Sequence, residues 1–109
     1  MSFNFSKSKF VSTYCTCNKY AWLDKNKQQE KSKIDEFTES LFDNGNKVGG
    51  LAKQRFNIEV DVSTQKEDGS QDNAAMLEKT KKYIAEGKKM IAEASFSCNG
   101  LFCSVDILV

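Results

Sequence analysis

Two acids, Glu93 and Asp106, lie on either side of Asn99-Gly100 in two strand-like segments, Met90 to Ser97 and Leu101 to Val109. Asn-Gly between alternating apolar residues is the strongest short hairpin signal, because both residues accept the positive φ of a type I′ turn. If these two residues form the loop, the register follows by counting. Phe96 faces Cys103, Ala94 faces Val105 and Glu93 faces Asp106. Opposed side chains in such a pair have Cβ atoms about 4.5 to 5.5 Å apart, where like charges repel unless a cation lies between them or one takes a proton. Two converging carboxylates suit a hard cation such as Mg²⁺ or Mn²⁺, which takes only one or two carboxylates from a protein. The competing reading is a pair of solvated acids, and a one-residue slip of the hairpin would separate them.

The other reactive side chains offer less. Cys15 and Cys17 are two residues apart, about 200° around a helix, and cannot chelate one metal unless the helix breaks there. Cys98 and Cys103 lie diagonally across the expected hairpin, further apart than a relaxed disulfide prefers. All four read as thiols, and zinc is not expected from these spacings. The chain has no histidine to serve a nucleophilic cysteine and no glycine-rich phosphate loop before a helix. No small-molecule cofactor is indicated.

The elements that must position the acids follow from periodicity. Phe10, Tyr14, Cys17 and Ala21 lie on one helical face and predict a first helix near residues 8–24. Ser32 to Asp35 has the Ser-x-x-Asp form of a capping box, so a second helix should start there. Its stripe of Ile34, Phe37, Leu41, Val48, Leu51, Ala52 and Phe56 is interrupted at Asp43 to Asn46 and at Gly49-Gly50, giving one kinked helix or two. Ile58, Val60 and Val62 alternate with polar residues as in a short strand over 57–62. A helix over 74–86 with Gly87 as its C-terminal cap precedes the hairpin. The apolar hairpin face, Met90, Ala92, Ala94, Phe96, Leu101, Cys103, Val105 and Ile107, is the expected core side. The fold class is α+β, one domain over 1–109, with a helical part over about 6–56 and a strand-helix-hairpin part over 57–109.

At 109 residues, 39% hydrophobic and 28% charged, the chain has the composition of a folded protein with a single modest core. No apolar run reaches the roughly 18 residues of a membrane span, and the N-terminus lacks a signal-peptide core. The expectation is a cytoplasmic protein without a membrane partner. The net charge of +1 hides segregation. Residues 1–33 carry seven lysines against Asp24 and Glu30, residues 34–78 hold ten acids against four bases, and residues 79–109 have five lysines against three acids. A lysine-rich edge could meet phosphate, but a solvated face is the commoner reading, and charge alone does not assign nucleic acid.

Three blocks, SKSKFVSTYCTCNKYAWLDK, LFDNGNKVGGLAKQRF and KTKKYIAEGKKMIAEASFSCNGLFCSVDILV, resemble the N-terminal segment of an uncharacterised bacterial family. That family is similar to RecB-type and CRISPR-associated exonucleases of the PD-(D/E)XK superfamily. The last block is the most specific, since EASF, a turn and VDIL resemble the strand pair that carries the metal-binding Asp. The resemblance implies a partial core of that fold, with Asp106 as the motif aspartate, Glu93 as an accessory acid, and DNA as a partner. Cys17 matches the cysteine that related nucleases use for an iron–sulfur cluster. The departures weigh against full activity. The Glu-x-Lys expected on the strand after the Asp does not occur before Val109, and Asn46 stands where the family shows His. No further cluster cysteines accompany Cys17, so no iron–sulfur cluster is expected. The expectation is a nuclease-related domain, truncated and inactive alone. The last strand, Cys103 to Val109, is an apolar edge without proline or lysine, which predicts a homodimer or another protein-interaction role.

Overall fold

The structure, a computed structural model, describes residues 5–109; the first four residues of the N-terminal stretch read above lie outside these. The architecture is α+β. Four strands, β1 (Phe5–Ser6), β2 (Val60–Asp61), β3 (Ile91–Cys98) and β4 (Leu101–Leu108), form one sheet in the order β1-β4-β3-β2. The helices are α1 (Lys7–Cys15), α2 (Tyr20–Asn26), α3 (Glu36–Arg55) and α4 (Asn73–Ala85), with a 3₁₀ turn at Gln28–Glu30.

The second half of the chain follows its sequence signals closely. Asp72 caps α4 by accepting from the Ala75 amide at 3.1 Å, and Gly87 ends it at φ 76°, with the Lys88 amide donating back to the Tyr83 carbonyl at 3.0 Å. Because α4 carries the chain back across the sheet, β2 and β3 run parallel, with Val60 beside Ile91 and Asp61 beside Ala92. Asn99 and Gly100 adopt φ of 50° and 78°, as a type I′ turn requires. The counted register is the observed one: Phe96 opposes Cys103, Ala94 opposes Val105 and Ala92 opposes Ile107. The core is small, built on Val62, Met76, Ile91 and Ala94 between α4 and the sheet. Buried Thr80 of α4 caps the sheet locally: its hydroxyl accepts from the Ser95 amide at 2.9 Å and donates to the Met76 carbonyl at 2.8 Å. A buried amide on the open side of β3 is thereby satisfied.

The first half departs from expectation in three places. The helix expected over residues 8–24 is two helices separated by a turn at 16–19, with Cys17 exposed in the turn rather than on an apolar face. Ser12, Thr13, Thr16 and Asn18 explain the break, since such side chains compete for backbone groups; the Thr13 hydroxyl donates to the Lys9 carbonyl at 2.7 Å. Asp24 ties the broken pair together through Lys9 at 2.7 Å and Lys31 at 3.1 Å, and these lysines hold its carboxyl below the usual carboxylate range. The capping box at Ser32 does not form. Asp35 is itself the N-cap, accepting from the Thr38 amide at 2.8 Å, and Ser32 to Ile34 are non-helical. Finally, α3 runs unbroken for 20 residues through both expected interruptions.

The hairpin also switches faces. Ile91 and Ala94, three residues apart, both join the core beneath α4, and so do Val105 and Leu108. Simple alternation forbids this, and the reason is Glu93, whose φ of 57° places it in the left-handed region in mid-strand. The expected core side is therefore corrected: Ala94 and Val105 are core, Ile107 turns toward α3, and Phe96 and Leu101 are 38% and 54% exposed.

Candidate functional site

The face switch sets the geometry of the acids. Glu93 and Asp106 lie between the Ala92–Ile107 and Ala94–Val105 pairs, where the ladder is interrupted and the two acids are not themselves paired. Together with Ile107 they line a groove of about 250 Å³ whose other wall is α3, through Gly45, Val48, Gly49, Ala52 and Lys53. Regular alternation would have sent Glu93 to the α4 side with Ile91; the left-handed turn at Glu93 sends it to the α3 side instead. Such a conformation costs a non-glycine residue about 1–2 kcal/mol and persists only where its surroundings enforce it.

Three neighbours hold Glu93. The Ser104 hydroxyl lies 3.3 Å from both its carbonyl and its Oε2, and the Ser95 hydroxyl donates to the same carbonyl at 3.0 Å. Lys53, reaching from the last turn of α3, places Nζ 3.6 Å from Glu93 Oε1 and 2.8 Å from Asp61 Oδ2. One ammonium thus bridges carboxylates from adjacent parallel strands. Asp61 Oδ1 also accepts from the Ser63 amide at 2.9 Å and from the Ser63 hydroxyl. Burial raises the Asp61 carboxyl, but Lys53 and Ser63 outweigh it and the group titrates below its ordinary value. Lys53 responds in kind, held above the usual lysine range by the bond to Asp61. Asp106 is exposed at the groove's open side.

Of the residues that sequence reasoning singled out, Glu93 and Asp106 meet at one groove. Cys17 does not join them, and Asn46 is exposed on α3. All four cysteines are free. Lys53, Asp61 and Ser104 went unmarked. Asp61 is an unremarkable polar alternate in β2, and only the parallel pairing of β2 with β3 brings it beside Glu93. Among the described residues no group of three His, Cys, Asp or Glu side chains is arranged to hold a metal. The donor set fits a cation that keeps its waters: two carboxylates, Glu93 and Asp106, with the Ser104 hydroxyl nearby. A larger groove of about 590 Å³ lies at the hairpin turn between Phe10 of α1 and Phe96, Leu101 and Phe102, but it contains no acid.

Comparison of the chain with family models, with curated proteins and with solved structures finds no match in any of the three.

Proposed function

We propose that this chain is a nuclease-related domain whose groove between β3, β4 and α3 takes a divalent cation, Mg²⁺ or Mn²⁺, through Glu93 and Asp106. The observation that supports this reading is the backbone at Glu93: a strained φ of 57° in mid-strand turns that carboxylate into the groove that Asp106 lines. A carboxylate pair of this kind, with the Lys53 ammonium alongside, is suited to a phosphodiester: the cation and the lysine would both face its negative charge. Nucleic acid, DNA or RNA, is the substrate class that the sequence resemblance implies.

The test is thermal unfolding with and without millimolar Mn²⁺ or Mg²⁺. The expected result is a cation-induced rise in midpoint for the wild-type chain that disappears in Asp106→Ala, while Lys53→Ala, which frees Glu93 from its ammonium, shows a larger rise. An equal shift in wild type and Asp106→Ala would overturn the reading.

One observation favours a second reading, protein interaction through the sheet edge. β1 pairs only with Leu101 and Phe102, so from Cys103 to Leu108 the outer side of β4 has no strand partner among the described residues. An edge of this length is a template for strand addition by a second copy.

A further inference from the structure

The apolar stripe of α3 has no cover among the described residues. Phe37, Leu41, Val48 and Leu51 are 72%, 54%, 65% and 65% exposed, and no residue of the helix is buried. With Asn44 these residues step by four, three, four and three, which is the a/d spacing of a coiled-coil seam. Ile34, 64% exposed, continues the pattern one step before the Asp35 cap. Helices owe most of their stability to packing of such a face, and α3 carries Gly45, Gly49 and Gly50 in its interior, each a weak helix former.

The whole chain carries surplus surface. A compact monomer of 12.3 kDa exposes about 6,100 Å², whereas this chain exposes 8837 Å². Its radius of gyration is 15.8 Å against about 13 Å for a compact domain of this length. The difference of about 2,700 Å² is ample for the roughly 1,000–2,500 Å² that each copy buries in an obligate homodimer.

Charge selects both the occupant and its direction. The first half of α3 is acidic, with Asp35 as cap and Glu36, Glu39 and Asp43; the second half carries Lys47, Lys53 and Arg55. A second copy laid antiparallel sets the acidic half against the basic half twice, while a parallel copy sets like against like. Antiparallel placement is also what a two-fold axis across the helix generates, with each half meeting its complement.

We propose that the chain forms a two-fold symmetric homodimer in which the α3 helices pack antiparallel along this seam. Phe37 of one copy meets Val48 of the other, Leu51 meets Ile34, and the two Leu41–Asn44 layers flank the axis. Lys53 lies on the far side of the helix, toward Asp61, while Val48 also lines the cation groove, so the seam runs along one rim of that groove. The contact adjoins the cation groove at Val48, does not require a cation, and uses a surface other than the β4 edge.

Light scattering across a dilution series of the intact chain tests this, with Val48→Glu and Val48→Leu alongside. The wild-type chain and Val48→Leu should show twice the mass of 12.3 kDa, and Val48→Glu should fall to the single-chain mass with its far-ultraviolet helix signal intact. Leu51→Arg, at an equally exposed position, is measured as a second charge insertion and decides alone if Val48→Glu loses its helix. A wild-type chain of single mass throughout overturns the proposal. So does a dimer that survives both charge insertions, which would locate the contact elsewhere, with the β4 edge the next surface to examine.

Discussion

At the scale of single residues, Glu93 decides the site. The sequence around it, Ala-Glu-Ala, reads as unbroken alternation, and glutamate has no preference for the left-handed region, so nothing local announced its conformation. The juxtaposition with Asp106 was nevertheless legible, because it depends on the Asn99-Gly100 turn and a count, and the φ at Glu93 leaves that count unchanged on both sides. What could not be read was the side of the sheet to which the pair turns, nor the arrival of Lys53 and Asp61, which depends on β2 and α3 being brought to β3 from 30 or more residues away. Strain at this position makes a prediction with an inverted sign. In an ordinary strand, glycine is less stable than alanine by about 0.5–1 kcal/mol. Here Glu93→Gly should be more stable than Glu93→Ala by about 1 kcal/mol, because both variants lose the Lys53 contact and only glycine relieves the φ. Denaturant unfolding of the two variants measures this, and an alanine variant at least as stable as the glycine one would mean the left-handed turn is not held in the folded chain.

At the scale of elements, legibility tracked how local the determinant was. The helix α4, with Asp72 before it and Gly87 after it, and the hairpin with its turn carry their boundaries in their own residues. The N-terminal helices do not. Ser32 and Asp35 are both competent caps, and the choice fell to Asp35, whose carboxylate reaches the Thr38 amide and places a negative charge at the positive end of α3. The interruption expected at Gly49-Gly50 did not occur because two glycines weaken a helix without forbidding it, and the chain contains no proline to remove an amide donor. That weakness is testable. A Cβ added at Gly49 meets nothing within 4 Å, so Gly49→Ala should stabilise the chain by about 0.5–1 kcal/mol through helix propensity and the entropy of the unfolded state. A loss of stability in that variant would show that the glycine is needed for a close approach, and thermal melts of the two chains at equal concentration distinguish the outcomes.

At the scale of the whole molecule, the distribution of apolar residues is the governing fact. The buried cluster is four residues with four half-buried neighbours around it, while Phe10, Tyr14, Trp22, Phe37, Phe42 and Phe56 are all more than half exposed. Composition placed this chain among ordinary globular proteins because it counts apolar residues without asking where they meet; the segregation of the core into residues 60–108 emerges only from the topology. No helix among the described residues is long and apolar enough to cross a membrane. A core this small stabilises a fold weakly, and a partner that binds only the folded chain adds to it by mass action. The antiparallel α3 dimer therefore predicts a thermal midpoint that rises with protein concentration, since each tenfold dilution shifts the balance toward separated and unfolded chains. Val48→Glu should abolish that dependence and leave the midpoint at the value wild type approaches on dilution. Calorimetry over two decades of concentration reads both, and a midpoint independent of concentration would mean that the small core alone sets the stability of the chain.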